Sequence, residues 1–143
     1  RRSDYERRFA ALPRERVLLR TLWLSAEDYP LFLGAVDLGL CLHRSASGLD
    51  LPMKILDCFG AGLPVLALDY GPCLAEILRD GENGLLFRSG AELAERLDEL
   101  LGSFPGAPPS PDRLRAGVAR GAASRGSDGW TAAGRPLFEP VRR

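Results

Sequence analysis

At 143 residues the chain is one domain or a piece of one, and its 45% apolar content suits a globular core. Nineteen basic and nineteen acidic residues cancel to a formal net charge of zero, which leaves no electrostatic case for a nucleic-acid partner or an anionic membrane surface. No apolar run reaches the roughly 18–20 residues that cross a bilayer, no signal-peptide pattern opens the chain, and no metal-ligand spacing occurs.

The first sixteen residues are charged and helix-compatible, with Tyr5, Phe9 and Leu12 at spacings of four and three. The start at Arg1, without an initiator Met, reads as that of a chain cut or truncated from something longer. Val17–Leu24 (VLLRTLWL) has the length and apolar character of a strand buried on both faces. Ser25 and Asp28 have capping-box spacing, so a helix is expected through Leu31, Phe32 and Ala35, with Pro30 tolerated in its first turns. Val36–Leu42 is a second strand candidate and runs directly into His43 and a Ser/Gly loop.

A short helix pattern follows, opened by Pro52 and closed by Gly60 and Gly62, and Pro64–Leu68 is the third strand. Leu74–Leu78 reads as a short helix, Asp80–Gly84 (DGENG) as a turn and Gly84–Phe87 as a fourth strand. Ser89 and Glu92 cap a further helix whose apolar stripe is Leu93, Ala94, Leu97, Leu100 and Leu101. Gly102–Pro111 (GSFPGAPPSP) is a linker, and Pro111–Arg143 has the Gly, Ala, Ser and Arg content of a weakly ordered tail. Cys41, Cys58 and Cys73, with no CxxC pair, read as reduced, mostly buried side chains in a reducing compartment.

Strands alternating with helices over short connections predict an α/β fold: a parallel sheet of about four strands with flanking helices. Ligands in such sheets sit at the carboxyl ends of strands. The loop Ser45–Gly48 lies at such an end, and small residues there leave backbone N–H groups open to a phosphate. On the helix that follows, Lys54 and Asp57 share a face, placing a cation for phosphate and an acceptor for a hydroxyl-bearing group. The same residues are equally compatible with a loop that binds nothing and a solvated Lys–Asp pair.

The segments WLSAEDYPLFL (Trp23–Leu33), DLGLCLHRSASGLDLPMKILDCFGAGLPV (Asp37–Val65) and ENGLLF (Glu82–Phe87) resemble the chitobiosyldiphosphodolichol beta-mannosyltransferase family. Members of that family are similar to other GT-B glycosyltransferases and use GDP-mannose to add the first mannose to dolichol-linked chitobiose on the cytosolic face of the endoplasmic reticulum. The resemblance covers roughly residues 17–104 and only faintly the stretch Ser124–Trp130. It implies a partial Rossmann-like, C-terminal GT-B sugar-nucleotide-binding domain over residues 1–104, and a linker and tail over 105–143.

By the same resemblance Asp57 matches the acid that accepts the ribose hydroxyls, Lys54 the cation that offsets the diphosphate, and Ser45, Ser47 and Gly48 the phosphate loop. His43 matches either a ligand contact or a hydrogen-bonded strand-end histidine. Many relatives place a glutamate eight residues before the ribose acid; here that place is Leu49, with Asp50 beside it. The implied partners are a sugar nucleotide and a lipid-linked oligosaccharide acceptor, with no nucleic acid, no metal, and no cofactor beyond the donor substrate. The implied location is the cytosolic face of the endoplasmic reticulum, or the cytoplasm for a chain without an anchor. No catalytic residue is assigned, and the chain alone is expected to be inactive. A GDP-binding or regulatory module and a partial gene product remain the alternatives.

Overall fold

The computed structural model describes residues 2–10, 17–103 and 111–122. Three short strands, β1 (Gly39–Cys41), β2 (Val65–Leu68) and β3 (Gly84–Phe87), lie side by side in chain order and run parallel. Gly39 stands opposite Val65, and Val65 opposite Gly84. The helices are α1 (Arg2–Ala10), α2 (Asp28–Gly34), α3 (Met53–Gly60), α4 (Gly90–Leu101) and α5 (Pro111–Ala122), with a 3₁₀ helix at Pro72–Glu76. This is the α/β architecture expected from the alternation of elements, with one strand fewer among the described residues.

Local chemistry explains the boundaries. Ser25 Oγ accepts the Asp28 N–H at 3.1 Å and donates to its carboxylate at 2.9 Å, starting the turn that becomes α2. Ser89 Oγ accepts the Glu92 N–H at 3.1 Å, and the Glu92 carboxylate reaches back to the Arg88 N–H at 2.8 Å. Pro52 is the extended residue before α3. The helix closes where the Leu63 N–H returns to the Cys58 carbonyl at 2.8 Å. Buried Asn83 tightens the turn before β3: its amide oxygen accepts the Arg79 N–H at 2.8 Å and its nitrogen donates to the Ile77 carbonyl at 3.1 Å.

Val65 and Ala67 of β2 join Ile55, Cys58 and Phe59 of α3 in one apolar cluster. Leu66, facing the other way, joins Leu85, Phe87 and Leu100 in a second cluster, with Leu93 and Leu97 of α4 packed on it. The α4 stripe is narrower than its sequence suggests, for Ala94 is exposed and Leu101 lies at its margin. Cys41, Cys58 and Cys73 are buried free thiols.

Three expectations are corrected. Val17–Leu24 forms no strand: its backbone pairs with none of the described strands, and Val17, Leu18, Leu22 and Trp23 are exposed. An apolar run becomes a buried strand only where neighbours exist to hydrogen-bond its edges. The segment after Gly71 is 3₁₀ rather than α, and starts at Pro72. Pro111–Ala122, assigned by composition to a weakly ordered tail, is a twelve-residue helix. Leu12, most of the linker and residues 123–143 lie outside the described residues.

Helix α5 lies across the amino ends of the strands. Val118 enters the α3 cluster and Leu114 the α4 cluster, so one helix seals both. Burial of two such side chains contributes about 1.5–3 kcal/mol each. The Arg115 guanidinium donates to the Asp37 carbonyl at 3.2 Å and its carboxylate at 3.1 Å, just before β1. Gly117 sits against the turn before β3, where an added Cβ would meet the Glu82 carbonyl oxygen at 1.8 Å. Backbone cannot yield as a flexible side chain does, so Gly117→Ala should push α5 off the sheet. A loss of roughly 1–3 kcal/mol is expected in chemical denaturation, with earlier amide exchange in residues 111–122; unchanged stability and protection would refute this docking.

Candidate functional site

The strand direction puts three connections at the carboxyl end of the sheet, away from α5. After β1 the chain passes His43 and folds residues 45–50 into a small polar knot. Gly48 adopts φ +74°, a left-handed conformation that disfavours side chains, and the chain doubles back there. The Gly48 N–H donates to Ser45 Oγ at 2.7 Å, and the Leu49 N–H to Ser47 Oγ at 3.3 Å. The two hydroxyls lie 3.2 Å apart. Both donate to one oxygen of Asp50, Ser45 in close contact and Ser47 at 3.4 Å.

The other Asp50 oxygen lies 2.7 Å from His43 Nε2. The backbone carbonyl of Asp50 accepts the Tyr70 hydroxyl at 2.6 Å, tying the knot to the segment just past β2. The Tyr70 ring receives His43 edge-on, with centroids 5.5 Å apart and planes at 79°. Desolvation, and then the Cys73 thiol, push the Tyr70 hydroxyl up to about 12, so it stays a donor at neutral pH.

These contacts revise one expectation. The Gly48 N–H is not open to a ligand; it is satisfied by Ser45, as the Leu49 N–H is by Ser47. The open donors lie one step on. Met53 and Lys54, the first residues of α3, have N–H groups with no partner among the described residues. The Lys54 side chain is exposed and forms no ion pair with Asp57 or any other described residue. Asp57, about 4.5 Å further along the helix axis, instead accepts the Tyr29 hydroxyl of α2 at 3.3 Å.

Asp57 and Tyr29 border a cavity of about 340 Å³ between α2 and α3, lined also by Pro30, Leu33, Gly34 and Ala61. Beyond β2 and β3 a second cavity, of about 320 Å³, is bordered by Arg44, Tyr70, Gly71 and the Asp69–Arg88 ion pair of 2.9 Å. The structure thus brings Ser45, Ser47 and Gly48 together and sets Lys54 and Asp57 on the adjoining helix, Asp57 turned toward α2. Among the described residues no group of His, Cys, Asp or Glu is arranged to hold a metal, and no helix is long and apolar enough to cross a membrane.

Sequence reasoning did not single out Asp50 as the hub of the loop, nor Tyr70 as its support, nor Tyr29 as the partner of Asp57. The spacing of Asp50 from Ser45 and Ser47 was a usable signal for local hydroxyl–carboxylate bonding. The tyrosines come from distant elements and carried no such signal.

The profile of the family described as Glycosyl transferases group 1 matches residues 3–103. The chain belongs to that family. Proteins similar to it include the "UDP-glycosyltransferase TURAN" of Arabidopsis thaliana, 48% identical over 96% of this chain and 30% of that protein. The Mus musculus protein named "Chitobiosyldiphosphodolichol beta-mannosyltransferase" is 43% identical over 96% of this chain and 28% of that protein. Its Homo sapiens namesake is 45% identical over 82% of this chain and 25% of that protein. This glycosyl transferase chain therefore spans less than a third of the length of these relatives. No solved structure matches it.

The knot makes a pH prediction. The Ser45 hydroxyl, and secondly His43, hold the Asp50 carboxyl below its ordinary value of 3.8. A carboxyl lowered in the folded state contributes its full stabilisation above the unfolded value and loses it as pH falls through the folded one. The loop bonds are therefore intact above about pH 4 and fail only below it. In a carbon-detected NMR titration Asp50 should ionise below the ordinary value of 3.8, and Ser45→Ala should move its midpoint upward; an unmoved midpoint would remove Ser45 as the cause.

Proposed function

We propose that this chain binds the diphosphate and ribose of a sugar nucleotide at the carboxyl end of β1. The protein it represents would transfer mannose from GDP-mannose to dolichol-diphosphate-linked chitobiose, on the cytosolic side of the endoplasmic reticulum. The observation that carries the reading is the junction itself: a serine-rich loop leads into α3, where two N–H groups and Lys54 have no partner among the described residues, with Asp57 one turn beyond. The names of the mouse and human relatives supply the sugar and the acceptor.

The chemistry suits these groups. Cleavage of the bond between the anomeric carbon and the diphosphate leaves negative charge on the departing nucleotide. The Lys54 ammonium and the helix N–H groups offset that charge. Asp57 accepts from ribose hydroxyls, held in place by Tyr29. The cavity beside it takes the nucleoside. Ser45, Ser47 and Gly48 border the phosphates or the sugar. The chain supplies the donor-binding share of the reaction, and transfer belongs to the longer relatives.

One observation favours a different nucleoside: the Arabidopsis relative, 48% identical, is named for a UDP-sugar. Thermal unfolding of the purified chain with GDP, UDP or inorganic pyrophosphate separates these readings. GDP should stabilise the chain by about 2.7 kcal/mol at a hundredfold excess over its Kd, and UDP at the same concentration should raise the midpoint less. Lys54→Ala should abolish the shift by GDP and by pyrophosphate. Asp57→Ala should weaken GDP while sparing pyrophosphate, which has no ribose. A larger shift with UDP would select the other nucleoside. A cooperative transition that ignores all three would remove the donor site.

A further inference from the structure

The polar knot beside α3 has an unusual occupant. A loop that offers serine hydroxyls at a strand end is suited to an anion, yet these donors already have one. Two relays converge on Asp50: the Gly48 N–H to Ser45 Oγ to the carboxylate, and the Leu49 N–H to Ser47 Oγ to the same oxygen. His43 faces the other oxygen at 2.7 Å. Only acceptor lone pairs satisfy hydroxyls that themselves accept from the backbone, and a carboxylate has no proton to give. The Asp50 side chain is half exposed, so water and solutes reach it.

We infer that Asp50 is an internal anion, which occupies the loop's hydroxyl donors and weakens the binding of a nucleoside diphosphate. The inference rests on the donor-site reading above and adds a residue that sets the strength of diphosphate retention. A diphosphate entering at Lys54 meets a like charge four residues earlier and finds the two hydroxyls engaged. To use them it must break the Ser45 and Ser47 bonds to the carboxylate. Asp50 therefore favours release of the nucleotide over its retention. The Tyr70 hydroxyl also clamps the Asp50 carbonyl, a contact that does not depend on the side-chain charge.

The test uses the 143-residue chain and two probes, inorganic pyrophosphate and GDP, with GDP-mannose as a control, by titration calorimetry. Asp50→Asn keeps the shape of the side chain and removes its charge. It should bind both probes roughly three- to tenfold more tightly, the effect of deleting one unit charge a few ångströms from an anion in an exposed site. Adding Ser45→Ala to Asp50→Asn should reduce that gain, because the freed hydroxyl is part of it. Unchanged or weaker binding of both probes by Asp50→Asn would overturn the inference.

So would weaker binding of GDP-mannose with GDP unaltered, which would make Asp50 an acceptor for the sugar instead. Asp50→Ser provides a second, uncharged replacement. Failure of both variants to fold would make Asp50 indispensable to the loop and overturn the inference as well. If wild type and variants alike bind neither probe, the donor-site reading itself falls; if wild type binds and the variants do not improve, only the role of Asp50 falls.

Discussion

Strand β2 is hydrogen-bonded along both edges and covered on both faces, and that double enclosure constrains the elements around it. Val65, Leu66 and Ala67 are essentially inaccessible, with successive side chains in opposite apolar clusters. Parallel neighbours require a crossover between strands, so each strand must return through a helix or a turn on one face. The α3 crossover fills one side and α4 covers the other. Connections that enter the strands gather at the amino end, where α5 seals them. Connections that leave the strands gather at the carboxyl end, where the polar knot forms. The division between a sealed end and an open end follows from strand direction alone.

What could be read in the sequence follows from how local the cause is. Helices α3 and α4 were legible because their signals lie within a few residues: Pro52 before Met53, the closing glycines, and Ser89 with Glu92. Strands β2 and β3 were legible as apolar runs bounded by turn residues. Val17–Leu24 shows the limit of the same signal, for hydrophobicity states a preference for burial but not whether a partner strand is at hand. α5 failed in the opposite direction. Its Gly, Ala and Arg content hides a two-residue apolar contact, Leu114 and Val118, whose strength depends on where the sheet lies. Gly117, costly inside an isolated helix, permits the close approach to Glu82.

The candidate site divides in the same way. The loop–helix junction, Lys54 and Asp57 follow from spacing, because three residues on a helix have a fixed geometry. The direction of hydrogen bonding inside the loop does not. Ser45 and Ser47 look identical in sequence whether their hydroxyls face a ligand or a neighbour. The choice is made by Asp50, whose carbonyl is fixed by Tyr70 twenty residues further on. The tie of Asp57 to Tyr29 likewise joins two helices that sequence places twenty-eight residues apart.

A loop rich in small residues would lose much entropy on binding if it were disordered beforehand. The relays through Ser45 and Ser47 order it in advance, and ordering in advance requires an acceptor at the centre. A neutral acceptor would order the loop without opposing an anion. A carboxylate orders it more firmly, since charge-assisted bonds are the stronger ones, but would repel the proposed diphosphate. Preorganisation and affinity are thus set against each other at one side chain. Lys54 would supply the counterweight: among the described residues it has no ion-pair partner, so its charge would be open to the proposed ligand. On the proposed reading, a site built this way would capture its nucleotide through the helix terminus and the lysine, and release it through the loop.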